Sequence, residues 1–344
     1  MASHRAPKVT GRATAAAAVV GVTAGTVALM PGTSQASPTQ SLTQVKAEVA
    51  SLNQQAEVAG QQYDAAQEQY AKLQQKVDGL QAQIIREQSA LDSLETTMGL
   101  QAAAQYRNGG ISPTLQLALN SSPEKYLSQA GIENQQASQE AMLMRTITQD
   151  KAQLALDKKA AAQALAEEQQ VVAQAKQHKA DIASTLNKEQ SLLATLSAPV
   201  RATIAAGGGS TAGYNGPLPA VSGRAAAAVA YVKSKVGDPY VYGDTGPNAF
   251  DCSGLIYAAY ASAGMSIPRT SEEQAAAATS IPASALEPGD VIYFYGYPPS
   301  HIAMYVGNGM FIDARNSNVG VVWGSLDPSS KYYSYMPVSG YGRL

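Results

Sequence analysis

From Leu42 onward, small and apolar residues return at steps of three and four: Leu42, Val45, Val49, Leu52, Ala56, Ala59, Tyr63, Ala66, Tyr70, Leu73, Val77, Leu80, Ile84, Leu91 and Leu94. That spacing puts them on one stripe of a long helix, a coiled-coil seam interrupted once at Glu87. A second run, Leu143, Ile147, Leu154, Ala161, Leu165, Val172, Ala175, Ile182, Leu186, Leu193 and Leu196, predicts a partner helix with a shallower, Ala-rich seam. Between them, "YRNGGISPTLQLALNSSPEKYLSQ" breaks the pattern with Gly109, Gly110, Pro113 and Pro123. It is expected to form the tip of an antiparallel hairpin, with one or two short helices and an exposed Leu115, Leu117, Leu119 run.

The period changes further on. Residues 198–222 carry a Gly-Gly-Gly-Ser core and then Pro-Leu-Pro, and are expected to be a flexible linker. Beyond it lie all three Phe and the single Trp. Such side chains bury much area, so 223–344 is expected to build its own core. Here Leu255, Ile256, Ala259 and Ala263 form a short helical run ending at Gly264, and the loop residues before it start that helix near Cys252. Ile302, Met304 and Val306 alternate with His301, Ala303 and Tyr305, which predicts a strand with His301 opposite the apolar face.

The strand runs into Gly307-Asn308-Gly309, a hairpin signal. With a loop of only Asn308-Gly309, Asp313 would face Met304 and enter the core. A three-residue loop with a bulge pairs Ile312 with Met304 and Asp313 with Ala303 instead. Asp313 then shares the face of His301, two positions along, at about 7 to 8 Å between backbone positions.

Charge and cysteine count narrow the chemistry. The net charge of −2 argues against nucleic acid as a partner. A single cysteine excludes an internal disulfide and a thiolate-rich zinc site, and the scarcity of histidine argues against a catalytic zinc. No cofactor is expected. At the start, Arg5, Lys8 and Arg12 precede a small apolar run and then Ser34-Gln35-Ala36, the order of a secretory signal over 1–36. The alternative is a retained anchor, but the run of about 18 weakly apolar residues is at the lower edge for spanning. The expected location is outside the cell or in its wall.

Cys252 and His301 are each unique within 223–344; His4 lies in the signal and His178 on a polar helix. A lone cysteine is usually inert packing. At a helix start, however, unpaired N–H groups favour thiolate and can hold an oxyanion, and Gly254 allows close backbone approach. Cys252 as nucleophile, His301 as base and Asp313 as orienting group complete a catalytic set.

"PYVYGDTGPNAFDCSGLIYAAY", "IPRTSEEQ", "LEPGDVIYF" and "SHIAMYVGNGMFIDA" together resemble the successive blocks of the NlpC family of secreted bacterial cell-wall endopeptidases, papain-like cysteine peptidases. The resemblance covers roughly Arg224 to Leu344 and implies an α+β papain-like domain, here preceded by the helical hairpin of 37–197. It implies a nucleophile at Cys252, a base at His301 and a third polar residue at Asp313, where many members have histidine. Tyr240 matches the tyrosine that helps build the oxyanion site, and its alternative is an ordinary core aromatic. Asp251 and Ser253 flank the cysteine at positions that contact the stem peptide in some relatives, and Arg269 is a candidate to meet a substrate carboxylate. Helix capping is an equal reading for Asp251, and an ion pair with Glu272 or Glu273 for Arg269. The implied reaction is cleavage of a peptidoglycan stem-peptide amide, between D-glutamate and the diamino acid. A non-catalytic division scaffold and an acyltransferase or other amidase on the same fold are the alternatives. The hairpin is expected to dock over the cleft until a membrane or regulatory partner engages it, or to act as a spacer.

Overall fold

A computed structural model describes residues 41–107, 123–205 and 207–344. The signal segment and the hairpin tip with its Leu115, Leu117 and Leu119 lie outside the described residues. Among those described, no helix is long and apolar enough to cross a membrane.

Two helices, α1 (Leu42–Arg107) and α2 (Pro123–Ala194), run side by side. Their partners descend along α2 as they ascend along α1. Val45 and Val49 meet Leu193, Ala66 and Leu73 meet Val171 and Ala175, and Leu91 meets Ile147 and Leu154. The pair is therefore antiparallel. At the expected break in the seam a polar layer replaces apolar contact: the Gln83 amide donates to Glu87 (2.8 Å) and to Asp157 (3.0 Å). Two details differ from the sequence reading. The buried stripe of α2 passes through Ala164 and Val171, not Leu165 and Val172, because the hairpin partner selects one of two adjacent apolar rows. The second helix also begins at Pro123, which the tip was expected to contain; proline suits a first helical turn, where its missing N–H is not needed.

The segment read as a linker is tied down along its length. Helix α3 (Ala198–Ala205) buries Ile204 and Ala205 against Val45, Val49 and Leu193. Ser210 exchanges two backbone hydrogen bonds with Trp323, and the Tyr214 ring lies 5.6 Å from the Trp323 ring. These contacts come from Ile204, Tyr214 and the backbone, which a reading of the Gly and Ser content passes over.

The C-terminal domain contains α4 (Gly223–Ser234), α5 (Cys252–Ser262), α6 (Ser271–Ala277) and six strands: β1 (Thr279–Ser280), β2 (Val291–Phe294), β3 (His301–Gly307), β4 (Met310–Ala314), β5 (Val321–Ser325) and β6 (Val338–Arg343). The sheet order is β1-β6-β2-β3-β4-β5, with antiparallel neighbours throughout. The period-2 pattern sends Ile302, Met304 and Ile312 against Val232, Leu255 and Ile256 of the helices. The opposite face, expected to be polar around His301, carries a second apolar cluster of Ile292, Phe294, Ala303, Phe311 and Met336. His301 is thus fully buried. Met304 pairs with Ile312 as the parity argument required, but Gly307 pairs with Met310, so the loop is the two residues Asn308-Gly309 rather than three, and the extra residue sits as a bulge between Tyr305 and Gly307.

Gly254, in the first turn of α5, packs against backbone: a β-carbon there would collide with the Asp244 carbonyl oxygen and stand 2.9 Å from Asp251 Oδ1. Gly254→Ala is expected to destabilise the domain by about 1–3 kcal/mol, the cost of overpacking a rigid site. A thermal melt of the variant checks this, and an unchanged midpoint would contradict the packing argument.

Candidate active site beneath the first helix

Cys252 opens α5. The Asp251 carboxylate caps the helix by accepting from the Gly254 N–H (2.7 Å), and its other oxygen accepts from the Gly243 N–H (2.8 Å). Pairing of Tyr240 with Phe250 brings the tyrosine hydroxyl to the same place. Across the cleft, His301 Nε2 lies 2.9 Å from Asp313 Oδ2, leaving Nδ1 on the side of the thiol. Asp313 is held in turn by Arg315, whose Nε and Nη2 donate at 2.8 and 2.7 Å to its two oxygens. Burial alone would push the Asp313 carboxyl up, but Arg315 and His301 outweigh it and hold the group below the usual aspartate range. Asp313 therefore stays charged and fixes the imidazole ring.

Cys252, His301, Asp313 and Tyr240 are thus assembled as the sequence reading expected. Arg269 differs in its partners. Its guanidinium binds Asp251 with both terminal nitrogens, donates to Ser253 Oγ (2.8 Å) and lies 3.3 Å from Asp64, and it does not use Glu272 or Glu273. Glu273 instead receives the Thr270 hydroxyl at the start of α6.

The first helix of the hairpin lies over the cleft, one of the two arrangements expected of it, through residues that the sequence had not singled out. Glu57, Gln61 and Asp64, at i, i+4 and i+7, project from one face of α1 into the cleft. Glu57 Oε2 accepts from the Tyr240 hydroxyl (3.0 Å), stands 3.4 Å from Cys252 Sγ and lies 3.6 Å from His301 Nδ1. The Gln61 amide donates toward Cys252 Sγ (3.5 Å), and its carbonyl accepts from the Ser271 N–H (2.6 Å) and the Ser253 hydroxyl (3.3 Å). Asp64 reaches the Arg269 guanidinium. Gly60, between Glu57 and Gln61, lets α1 come this close: a β-carbon there would stand 2.6 Å from the Tyr242 ring.

The cover reverses the electrostatics expected of a helix-start cysteine. Burial pushes the Cys252 thiol well above its ordinary range, and the Glu57 and Asp251 charges push the same way. Burial also raises Glu57, against the pull of His301. For His301 burial acts downward, but the hydrogen bond to Asp313 and the Glu57 carboxylate 3.6 Å from Nδ1 outweigh it and carry the imidazole to about 9. Asp64 is pushed up to about 8 by burial and then by Asp251, with which it shares one guanidinium. In this arrangement burial and the neighbouring carboxylates favour a neutral thiol at Cys252 and a protonated imidazole at His301.

Residues 237–338 match the NlpC/P60 family. A probable endopeptidase of Corynebacterium glutamicum is 47% identical over 105 residues, 30% of this chain and 46% of that protein. Probable endopeptidase p60 of Listeria innocua is 40% identical over 107 residues, 29% of this chain and 23% of that protein. The chain thus spans less than half the length of these curated relatives. Among solved structures, the NlpC/p60 domain of the peptidoglycan hydrolase SagA is 28% identical, with a TM-score of 0.31, covering 35% of this chain and 98% of that one. Following an antiparallel helical pair and carrying the Cys252, His301 and Asp313 constellation, the C-terminal portion of this chain is an NlpC/P60 domain.

Proposed function

We propose that the chain is a secreted peptidoglycan hydrolase, described here in a closed form in which α1 fills the substrate cleft. The observation that carries the reading is the alignment of the Asp313 carboxylate, the His301 imidazole and the Cys252 thiol at the start of α5. Once the cleft opens, water reaches the thiol and the charge of Glu57 leaves it. His301 Nδ1 then takes the thiol proton, and Sγ attacks the carbonyl carbon of a stem-peptide amide. The backbone N–H groups at the helix start and the Tyr240 hydroxyl face the developing oxyanion. His301 returns the proton to the departing amine nitrogen, and water, activated by the same imidazole, hydrolyses the thioester. Family resemblance directs the cut to the bond between D-glutamate and the diamino acid. Arg269, Asp251 and Ser253 line the cleft where Asp64 now sits, so they are the groups a stem peptide would meet after α1 leaves.

The test is digestion of purified cell wall with mass analysis of the released fragments. Protein with α1 displaced is expected to release muropeptides cut at one amide, and the same protein carrying Cys252→Ala none. Release that survives Cys252→Ala, or none from the displaced form, would refute the hydrolase reading.

A further inference from the structure

The closed cleft brings together more than an inhibitor and a nucleophile. Glu57, Cys252 and His301 each offer one donor atom, and the three atoms lie within 4.8 Å of one another in a fully buried setting. Two of the separations are 3.4 Å (Sγ to Oε2) and 3.6 Å (Nδ1 to Oε2). A tetrahedral zinc ion, with bonds of about 2.0–2.3 Å to oxygen, nitrogen and sulfur, holds its donors about 3.3–3.7 Å apart. Two of the three separations thus stand at coordination spacing, and the third, Sγ to Nδ1, is within 4.8 Å.

A second observation concerns hydrogen bonding. His301 Nδ1, 3.6 Å from Glu57 Oε2, and Glu57 Oε1 are buried and make no hydrogen bond among the described residues. Buried polar atoms are normally satisfied, so such a pair in one cluster points to a missing partner. The outer arrangement fits as well. A metal-bound histidine usually gives its other nitrogen to a carboxylate, and Asp313, locked by Arg315, occupies that position at 2.9 Å. A cavity of about 390 Å³ is bordered by Glu57 and His301, though not by Cys252.

We propose that the closed form binds one thiophilic divalent cation, zinc, through Cys252 Sγ, His301 Nδ1 and Glu57. Two ligands come from the catalytic machinery and one from α1, so the ion fastens the cover to the nucleophile. On binding, the protons on the thiol and on Nδ1 leave to solvent, and the sulfur lone pair that would attack substrate is bonded to metal. The ion has no part in the hydrolytic reaction; it belongs to the latent state. This inference rests on the closed-cleft reading.

Cobalt(II), which reports its ligands by colour, tests it on the full chain stripped of metal with a chelator. The wild-type protein is expected to take up one cobalt with a thiolate charge-transfer band and the strong visible bands of four-coordinate ion, all displaced by zinc. Cys252→Ala is expected to abolish the charge-transfer band. Glu57→Gln is expected to weaken cobalt at least about tenfold, since even outer-shell losses reach that size. Gly60→Leu keeps all three ligands but displaces α1, and is expected to weaken it as much. No thiolate band, or equal affinity in wild type, Glu57→Gln and Gly60→Leu, would overturn the proposal. Reactivity of the single thiol toward a disulfide reagent in metal-free protein separates the two readings. A shielded thiol without a cobalt band refutes the metal site alone. A thiol equally reactive in wild type and Gly60→Leu refutes the closed cleft and the metal site together.

Discussion

Gly60→Leu is expected to convert a latent protein into an active one. Glycine in the middle of a helix costs about 1 kcal/mol relative to alanine, so leucine strengthens α1 as a helix. The same substitution drives a side chain into the Tyr242 ring, where a β-carbon alone would stand at 2.6 Å. Helix and docking therefore respond in opposite directions, which separates release of the cover from unfolding. Glu57, Gln61 and Asp64 leave the cleft together because they are carried on one rigid face. If the closed form outweighs the open one by about 99 to 1, full release raises the wall-digesting rate about a hundredfold. The chain's one cysteine gives a second measure: its reaction with a thiol reagent should accelerate in parallel, while helical circular dichroism is maintained. Unchanged digestion and thiol reactivity would show that α1 does not occlude the site in solution.

The second large effect is expected from Asp313→Asn in the Gly60→Leu background. Three N–H donors converge on the Asp313 carboxylate: His301 Nε2 and Arg315 Nε on one oxygen, and Arg315 Nη2 on the other. Asparagine offers one oxygen and one amide nitrogen. With the nitrogen toward His301, the imidazole must take the other tautomer and direct N–H at the thiol, so it cannot accept the proton. With the oxygen toward His301, the tautomer survives but the charge that stabilises imidazolium is gone, and Arg315 Nη2 faces another donor. Both orientations disable the base, and kcat is expected to fall about 10²- to 10⁴-fold with little change in KM. A melt of the same variant shows whether fold is retained. A loss smaller than threefold would remove Asp313 from the mechanism.

Much of this site could be read from the chain because its logic is local. The start of α5 at Cys252 follows from loop residues before it and apolar spacing after it. The meeting of Asp313 and His301 follows from parity: one face of β4 must stay apolar, and only the bulged register keeps it so. Arg315 was not singled out: it lies just past the end of β4, and only the burial of Asp313 gives a cation there a reason. Glu57 was not legible. It lies on the polar flank of a helix whose periodicity is accounted for by its neighbour, and the contact with Cys252 spans 195 residues. The one trace was Gly60, a poor helix former inside a long helix. Its reason is the Tyr242 ring, which no helical periodicity reveals.

The antiparallel pair also has a mechanical consequence. Its base is pinned where Val45 and Val49 pack on α3, whereas α1 continues to Arg107. At 1.5 Å per residue, Glu57 sits about 15 Å from that pivot and Arg107 about 90 Å. The hairpin is then a lever with an arm ratio of about six. A sideways load at its far end acts on the cleft contact with about six times its own force, and prises Glu57 from the dyad without touching the NlpC/P60 domain. Opening can therefore be driven by weak engagement far from the chemistry.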